Sequence, residues 1–155
     1  MSTARTSSTR ETLLIVEDDI LPAIVLRDEL RDAGFHVLEL TEHVEQAIAA
    51  ALACRPALAL VNIELQGRDD GIGLARELKL MGIPVLFISG QEEKARSARA
   101  VAVGSLAKPY HAESMIEAVS YLLRHMEGDD SLPRPAGLEV FDNPPNGNGA
   151  VPEAA

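Results

Sequence analysis

Nine residues, Ala57 to Leu65, constrain this 155-residue chain more than any others: Ala-Leu-Ala-Leu-Val-Asn-Ile-Glu-Leu is apolar without alternation until an amide and then a carboxylate interrupt it. A run that is apolar at odd and even positions alike, entered through Pro56 and left through a Gly- and Asp-rich loop, predicts a central parallel strand buried on both faces. In open α/β sheets, ligands and chemistry collect outside the carboxyl ends of such strands. The side chain at this end is Asn62. A carboxylate there can be a nucleophile; a carboxamide cannot.

The rest of the chain repeats the theme. Thr12–Val16 is a β-branched and aliphatic run that ends abruptly in Glu17-Asp18-Asp19. Asp19 is positioned to cap a following helix, Ile20 to Ala33, with Pro22 tolerated in its first turn and Gly34 as its stop. Phe35–Leu40 alternates with period two and predicts a second strand nearer the sheet edge. An Ala-rich helix from Val44 to Ala53 stops before Pro56. After the central strand come a loop, Gln66–Gly71, and a helix, Ile72–Met81. Pro84–Ile88 predicts a fourth strand ending at Ser89, Gln91–Val103 a weaker helix, Leu106-Ala107 a minimal fifth strand leading to Lys108-Pro109, and Ala112–His125 a last helix with apolar residues at helical spacing. Five βα units predict an α/β fold, a five-stranded parallel sheet with helices on both faces. A loose arm over residues 1–10 and an unordered tail over 127–155 flank a domain over 11–126. The tail holds six of the 24 acids and one of the 14 bases, and a small apolar island at Leu138, Val140 and Phe141. That island reads as a chance cluster or as a short docking segment for a partner or for the protein's own sheet face.

Charge and composition exclude several function classes. A net charge of −10 argues against binding a phosphate backbone, which needs a basic patch. No run approaches the roughly 18 apolar residues of a membrane span, and the Ser- and Thr-rich start lacks the apolar stretch of a signal peptide, so a soluble cytoplasmic protein is expected. A second folded output domain is not expected in this length. The lone Cys54 is expected to play a small apolar part, buried or half-buried. The four histidines, His36, His43, His111 and His125, have no metal spacing and are expected at the surface. Asp69 and Asp70 read as solvated turn residues.

The special polar residues fall at strand ends: Glu17 and Asp18 after the first, Asn62 after the third, Ser89 after the fourth, Lys108 after the fifth. In a parallel sheet these ends share one edge. Four stretches in this order, Leu-Leu-Ile-Val-Glu-Asp-Asp, Leu-Val-Asn-Ile-Glu-Leu, Pro-Val-Leu-Phe-Ile-Ser-Gly and Ala-Lys-Pro-Tyr, resemble those of response-regulator receiver domains of two-component signalling, over roughly Glu11 to Met126. The resemblance implies a flavodoxin-like receiver fold. It also implies a magnesium site built from Glu17, Asp18, the acceptor position and the backbone carbonyl of Glu64, with Ser89 and Lys108 contacting phosphoryl oxygens. It further implies a cis bond before Pro109, and partners such as a histidine kinase, a histidine phosphotransfer protein or a downstream regulator. Receivers of this kind commonly meet partners or a second copy through the fourth helix, fifth strand and fifth helix.

Two departures from the family pattern change the expected function. Asn62 stands where the family has the phosphoacceptor aspartate, and Ser105 where it usually has an aromatic switch residue. A charge pair about 4 Å apart is worth roughly 4 kcal/mol at an effective dielectric near 20, so an amide at position 62 should weaken magnesium binding and deprive Lys108 of its main partner. A single-domain receiver protein that acts by protein contact without catalytic turnover is therefore expected. The rival expectation is an ordinary phosphorylated receiver whose acceptor aspartate has been exchanged for Asn62. More distant are a magnesium-dependent phosphohydrolase or a flavin carrier. The first would want a nucleophilic Asp on the first strand, followed by a second Asp two residues on and a Thr. The second would want a Ser/Thr/Gly phosphate loop, and Glu17-Asp18-Asp19 supplies neither.

Overall fold

A computed structural model describes residues 11–65 and 70–142. The elements run β1 (Thr12–Val16), α1 (Ile20–Asp32), β2 (His36–Val37), α2 (Val44–Cys54), β3 (Leu58–Asn62), α3 (Gly71–Leu80), β4 (Val85–Ser89), α4 (Glu92–Ser97), a 3-10 turn (Arg99–Val101), β5 (Gly104–Ala107), α5 (Ala112–His125) and β6 (Leu138–Val140). They form one sheet in the order β2-β1-β3-β4-β5-β6. The first five strands are parallel and β6 runs antiparallel to β5.

The unalternating strands explain the layering. Odd and even residues point to opposite faces, so Leu58, Leu60, Leu86 and Ile88 join α1 and α5 residues such as Leu30, Met115 and Leu122 in one core. Ala59, Val61, Val85 and Phe87 join Ala47, Ala51, Leu74 and Leu78 in the other. All five residues of β3 are buried, as are all five of β4. Among the described residues no helix is long and apolar enough to cross a membrane.

Several sequence expectations need correction. The second strand shrinks to His36–Val37, with a bridge from Val16 to Thr41 continuing its course; as an edge strand it pairs on one side only, with β1. Asp19 occupies the cap position of α1 but its side chain makes no cap bond; its N–H instead donates to Glu17 Oε2 at 3.0 Å. Asp70, expected to be a solvated turn residue, caps α3 by accepting from the Ile72 N–H at 3.0 Å. The helix expected over Gln91–Val103 breaks after Ser97 into the 3-10 turn. Cys54 is exposed: it shares the helix face of the buried Ala47 and Ala51 but is the last residue of α2, at the end of that face. The expected loose arm at 1–10, the loop acid Asp69 and the tail beyond Asp142 lie outside the described residues.

The largest correction is at the carboxyl end. Residues 127–142 were expected to be unordered, and the sheet to have five strands. Instead Leu138–Val140 adds a sixth strand on the outer edge of β5, with Leu138 opposite Leu106, Glu139 opposite Ser105 and Val140 opposite Gly104. Leu138 and Phe141, two residues of the apolar island, are buried, one in each core layer. Burying two such side chains returns about 3–6 kcal/mol. Fixing five residues costs roughly 5–10 kcal/mol, so the strand depends on its further bonds. Arg96 of α4 grips the Glu139 carboxylate through Nε and Nη2 at 3.0 and 3.1 Å. The Phe141 N–H donates to the Val103 carbonyl at 2.9 Å.

A histidine completes this attachment. His125, at the end of α5, meets the Asp130 carboxylate through Nδ1 and the Asp142 carboxylate through Nε2 at 3.3 Å, and stacks on Tyr121. Two carboxylates on one ring favour the imidazolium. The Asp130 bond, and to a lesser extent the Asp142 bond, therefore hold the His125 pKa above its ordinary value against opposing desolvation. A raised histidine pKa gives stability that is complete below the unfolded value, about 6.5, and fades as pH rises through the folded one. The melting temperature lost in a His125→Ala variant should accordingly be greatest near pH 6 and shrink toward pH 9, as thermal denaturation of both proteins across that range would show; a pH-independent difference would refute the charged form.

Candidate functional site

Four parallel strands deliver the site. β1 ends at Val16 and hands on Glu17, whose N–H is pinned to the Thr41 carbonyl at 3.0 Å. Thr41 is itself buried, with its hydroxyl donating to the Ile15 carbonyl at 2.8 Å. β3 ends at Asn62, and β5 leads to Lys108, whose N–H donates to the Ser89 carbonyl at 2.9 Å, tying it to the end of β4. The Lys108–Pro109 peptide bond is cis.

Asn62 is the hub. It is only 4% exposed. Its Nδ2 donates to Glu17 Oε2 and to the Glu64 backbone carbonyl, both at 3.2 Å, and its Oδ1 accepts from Lys108 Nζ at 3.2 Å. The neighbours dictate that amide orientation: a carboxylate and a carbonyl need a donor, an ammonium needs an acceptor. Lys108 also stands 3.8 Å from Glu17 Oε1. Burial pushes the Glu17 carboxyl up; the Asp19 N–H and the Lys108 charge pull it back, while neighbouring Asp18 adds to the rise.

Ser89 closes the other side. Its hydroxyl lies 3.2 Å from Glu64 Oε2 and 3.2 Å from the Gln91 carbonyl, and accepts from the Gln91 N–H at 2.8 Å. The structure thus brings Glu17, Asn62, Glu64, Ser89 and Lys108 into one hydrogen-bonded network, with Asp18 beside Glu17. Ser105 is placed apart: it lies within β5, paired with Phe87 on one side and Glu139 on the other. Sequence reasoning missed the side chain of Glu64, valued only for its carbonyl, and also Thr41 and Gln91, which carried no signal of their own. Tyr110 was visible only as the end of Ala-Lys-Pro-Tyr. Its hydroxyl pKa is raised by burial first and by the Glu17 and Glu29 carboxylates next.

The model of the response regulator receiver domain family matches residues 13–120. The chain belongs to that family. A relative, the transcriptional regulatory protein PdtaR of Mycobacterium tuberculosis H37Rv, is 29% identical over 111 residues, 69% of this chain and 54% of that protein. The chain therefore spans about half the length of the curated relatives it matches. Among solved structures, the signal receiver domain of a modulated diguanylate cyclase from Desulfovibrio desulfuricans G20 is 34% identical with a TM-score of 0.67, covering 74% of this chain and 94% of that one. The receiver domain of NtrX from Brucella abortus is 30% identical with a TM-score of 0.68, over 72% and 98%. A CheY-like receiver domain protein from Methanospirillum hungatei JF-1, 24% identical over 76% of this chain and 97% of that one with a TM-score of 0.68, shares the fold.

Receiver domains typically bind magnesium at an acidic pocket. Here the Asn62 amino group donates to both the Glu17 carboxylate and the Glu64 carbonyl, so it turns hydrogens rather than an oxygen toward two of the oxygens that the resemblance assigns to the ion. Among the described residues no three of His, Cys, Asp and Glu are grouped to hold a metal ion.

Proposed function

We propose that this receiver works by protein contact in two-component signalling, with Asn62 at the phosphoacceptor position and no aspartyl phosphorylation there. The observation that carries the reading is the bonding of the Asn62 amide. Its NH2 bridges Glu17 and the Glu64 carbonyl while its oxygen holds Lys108. A neutral side chain thereby bridges the acid and the lysine. Magnesium affinity is weakened accordingly. The partner is a histidine kinase, a histidine phosphotransfer protein or a downstream regulator in the cytoplasm.

A second reading has its own support. The resemblance assigns the Ser89 hydroxyl and the Lys108 ammonium to phosphoryl oxygens, and both side chains lie in the hydrogen-bonded network around Asn62. On that reading an ordinary phosphorylated receiver has had its acceptor aspartate exchanged for Asn62. Two measurements test the proposal. Incubation with an acyl-phosphate donor and magnesium should leave the intact mass unchanged, and the set of proteins captured by the chain should be the same with and without the donor. A phosphate adduct retained at the end of β3 would overturn the proposal.

A further inference from the structure

We propose that the outer edge of β5, between α4 and α5, is a strand-accepting interaction surface whose resident occupant is the chain's own Leu138–Asp142. The partner it fits is an extended segment with an acidic residue flanked by apolar ones. Main-chain pairing supplies affinity in such a site and alternate side-chain positions supply selectivity. Both are visible here. The backbone approaches so closely at Gly104 that a Cβ there would lie 2.8 Å from the Glu139 carbonyl oxygen and 3.5 Å from Leu138 Cδ1. Leu138 and Phe141 are buried, at 7% and 6% exposure. Between them, the two-pronged contact from Arg96 reads one acid at one position.

The occupant is built to be displaced. Its strand is three residues long, short enough to have little cooperative stability of its own. Its ion pair is open to water, with Arg96 and Glu139 side chains 50% and 41% exposed. Its far end is held by His125, between Asp130 and Asp142, both on the solvent side. Once it lifts, β5 presents unpaired N–H and C=O groups beside a notch shaped for Leu and Phe, a template for another strand. This goes beyond the reading of Asn62 and stands without it.

The full chain and a fluorescent peptide of its own sequence, Pro-Ala-Gly-Leu-Glu-Val-Phe-Asp, provide the test. In the wild type the tethered segment outcompetes the peptide. A Glu139→Arg variant repels its own segment from Arg96, so the peptide should bind at least about tenfold more tightly than to wild type, because the effective concentration of the tethered competitor no longer protects the edge. The same peptide with its Glu replaced by Arg should fail on the Glu139→Arg variant and bind an Arg96→Glu variant. Equal affinity of the unmodified peptide for wild type and Glu139→Arg, or binding indifferent to the charge exchange, would overturn the proposal. Loss of the Asn62 reading would leave these affinities untouched.

Discussion

An Asn62→Asp variant is expected to take up one phosphoryl group from an acyl-phosphate donor in the presence of magnesium, where the wild type takes up none. The argument is one of atoms. The amide hub already lies within 3.2 Å of the Glu17 carboxylate, the Glu64 carbonyl and the Lys108 ammonium. Exchanging NH2 for oxygen converts a donor to two acidic-site oxygens into a third oxygen facing them, the charge pattern a hard divalent cation wants. It also supplies the nucleophilic oxygen that the amide lacks. Without magnesium the same change leaves the Glu17 and Glu64 oxygens without their donor and adds a like charge, which should cost about 1–3 kcal/mol of stability. Intact mass with and without donor checks the first expectation, and denaturant unfolding with and without magnesium the second. A variant that stays unmodified and gains nothing from magnesium would show that Ser89 and Lys108 are arranged for something other than phosphoryl transfer.

Much of this was legible in the chain because the strands announce themselves. β3 and β4 are continuous apolar runs that stop at a polar residue, so both the burial of Leu58–Val61 and the placement of Asn62 and Ser89 at one edge follow from the pattern. Lys108 was legible because proline follows it. What was not legible depended on pairing between distant segments. Leu138-Glu139-Val140 is too short and too mixed to signal a strand, and becomes one only because Gly104 lets it approach and Arg96 meets Glu139, 43 positions away. The missing Asp19 cap is a local difference instead: its side chain makes no cap bond, while its N–H donates to Glu17 two residues earlier. His125 without metal spacing looked idle, since its partners are carboxylates that only the folded carboxyl-terminal segment brings near.

The site also leans on a glycine whose replacement should be severe. Gly71 opens α3, with its N–H donating to the Ile63 carbonyl at 3.2 Å. An added Cβ would sit 2.4 Å from the Asn62 carbonyl oxygen and 2.7 Å from Ile63 Cα. Both are backbone atoms, so no side chain can swing aside. The helix must retreat or the end of β3 must move, carrying Asn62 out of register with Glu17 and Lys108. Gly71→Ala should therefore cost about 3 kcal/mol, and lower the melting temperature by roughly 10 °C. Gly73→Ala, two residues on, is the matched comparison. Its added Cβ would meet only the Asp70 side chain at 3.5 Å, and the helical preference of alanine should leave it neutral or up to about 1 kcal/mol more stable. Combining Gly71→Ala with Asn62→Asp separates the two effects of the shift. Phosphorylation of the double variant should be slower than that of Asn62→Asp alone even at a temperature where both are folded, because the nucleophile is displaced as well as its support. Equal rates would show that α3 yields instead, and that the end of β3 is held by its sheet neighbours more firmly than by its contact with the helix.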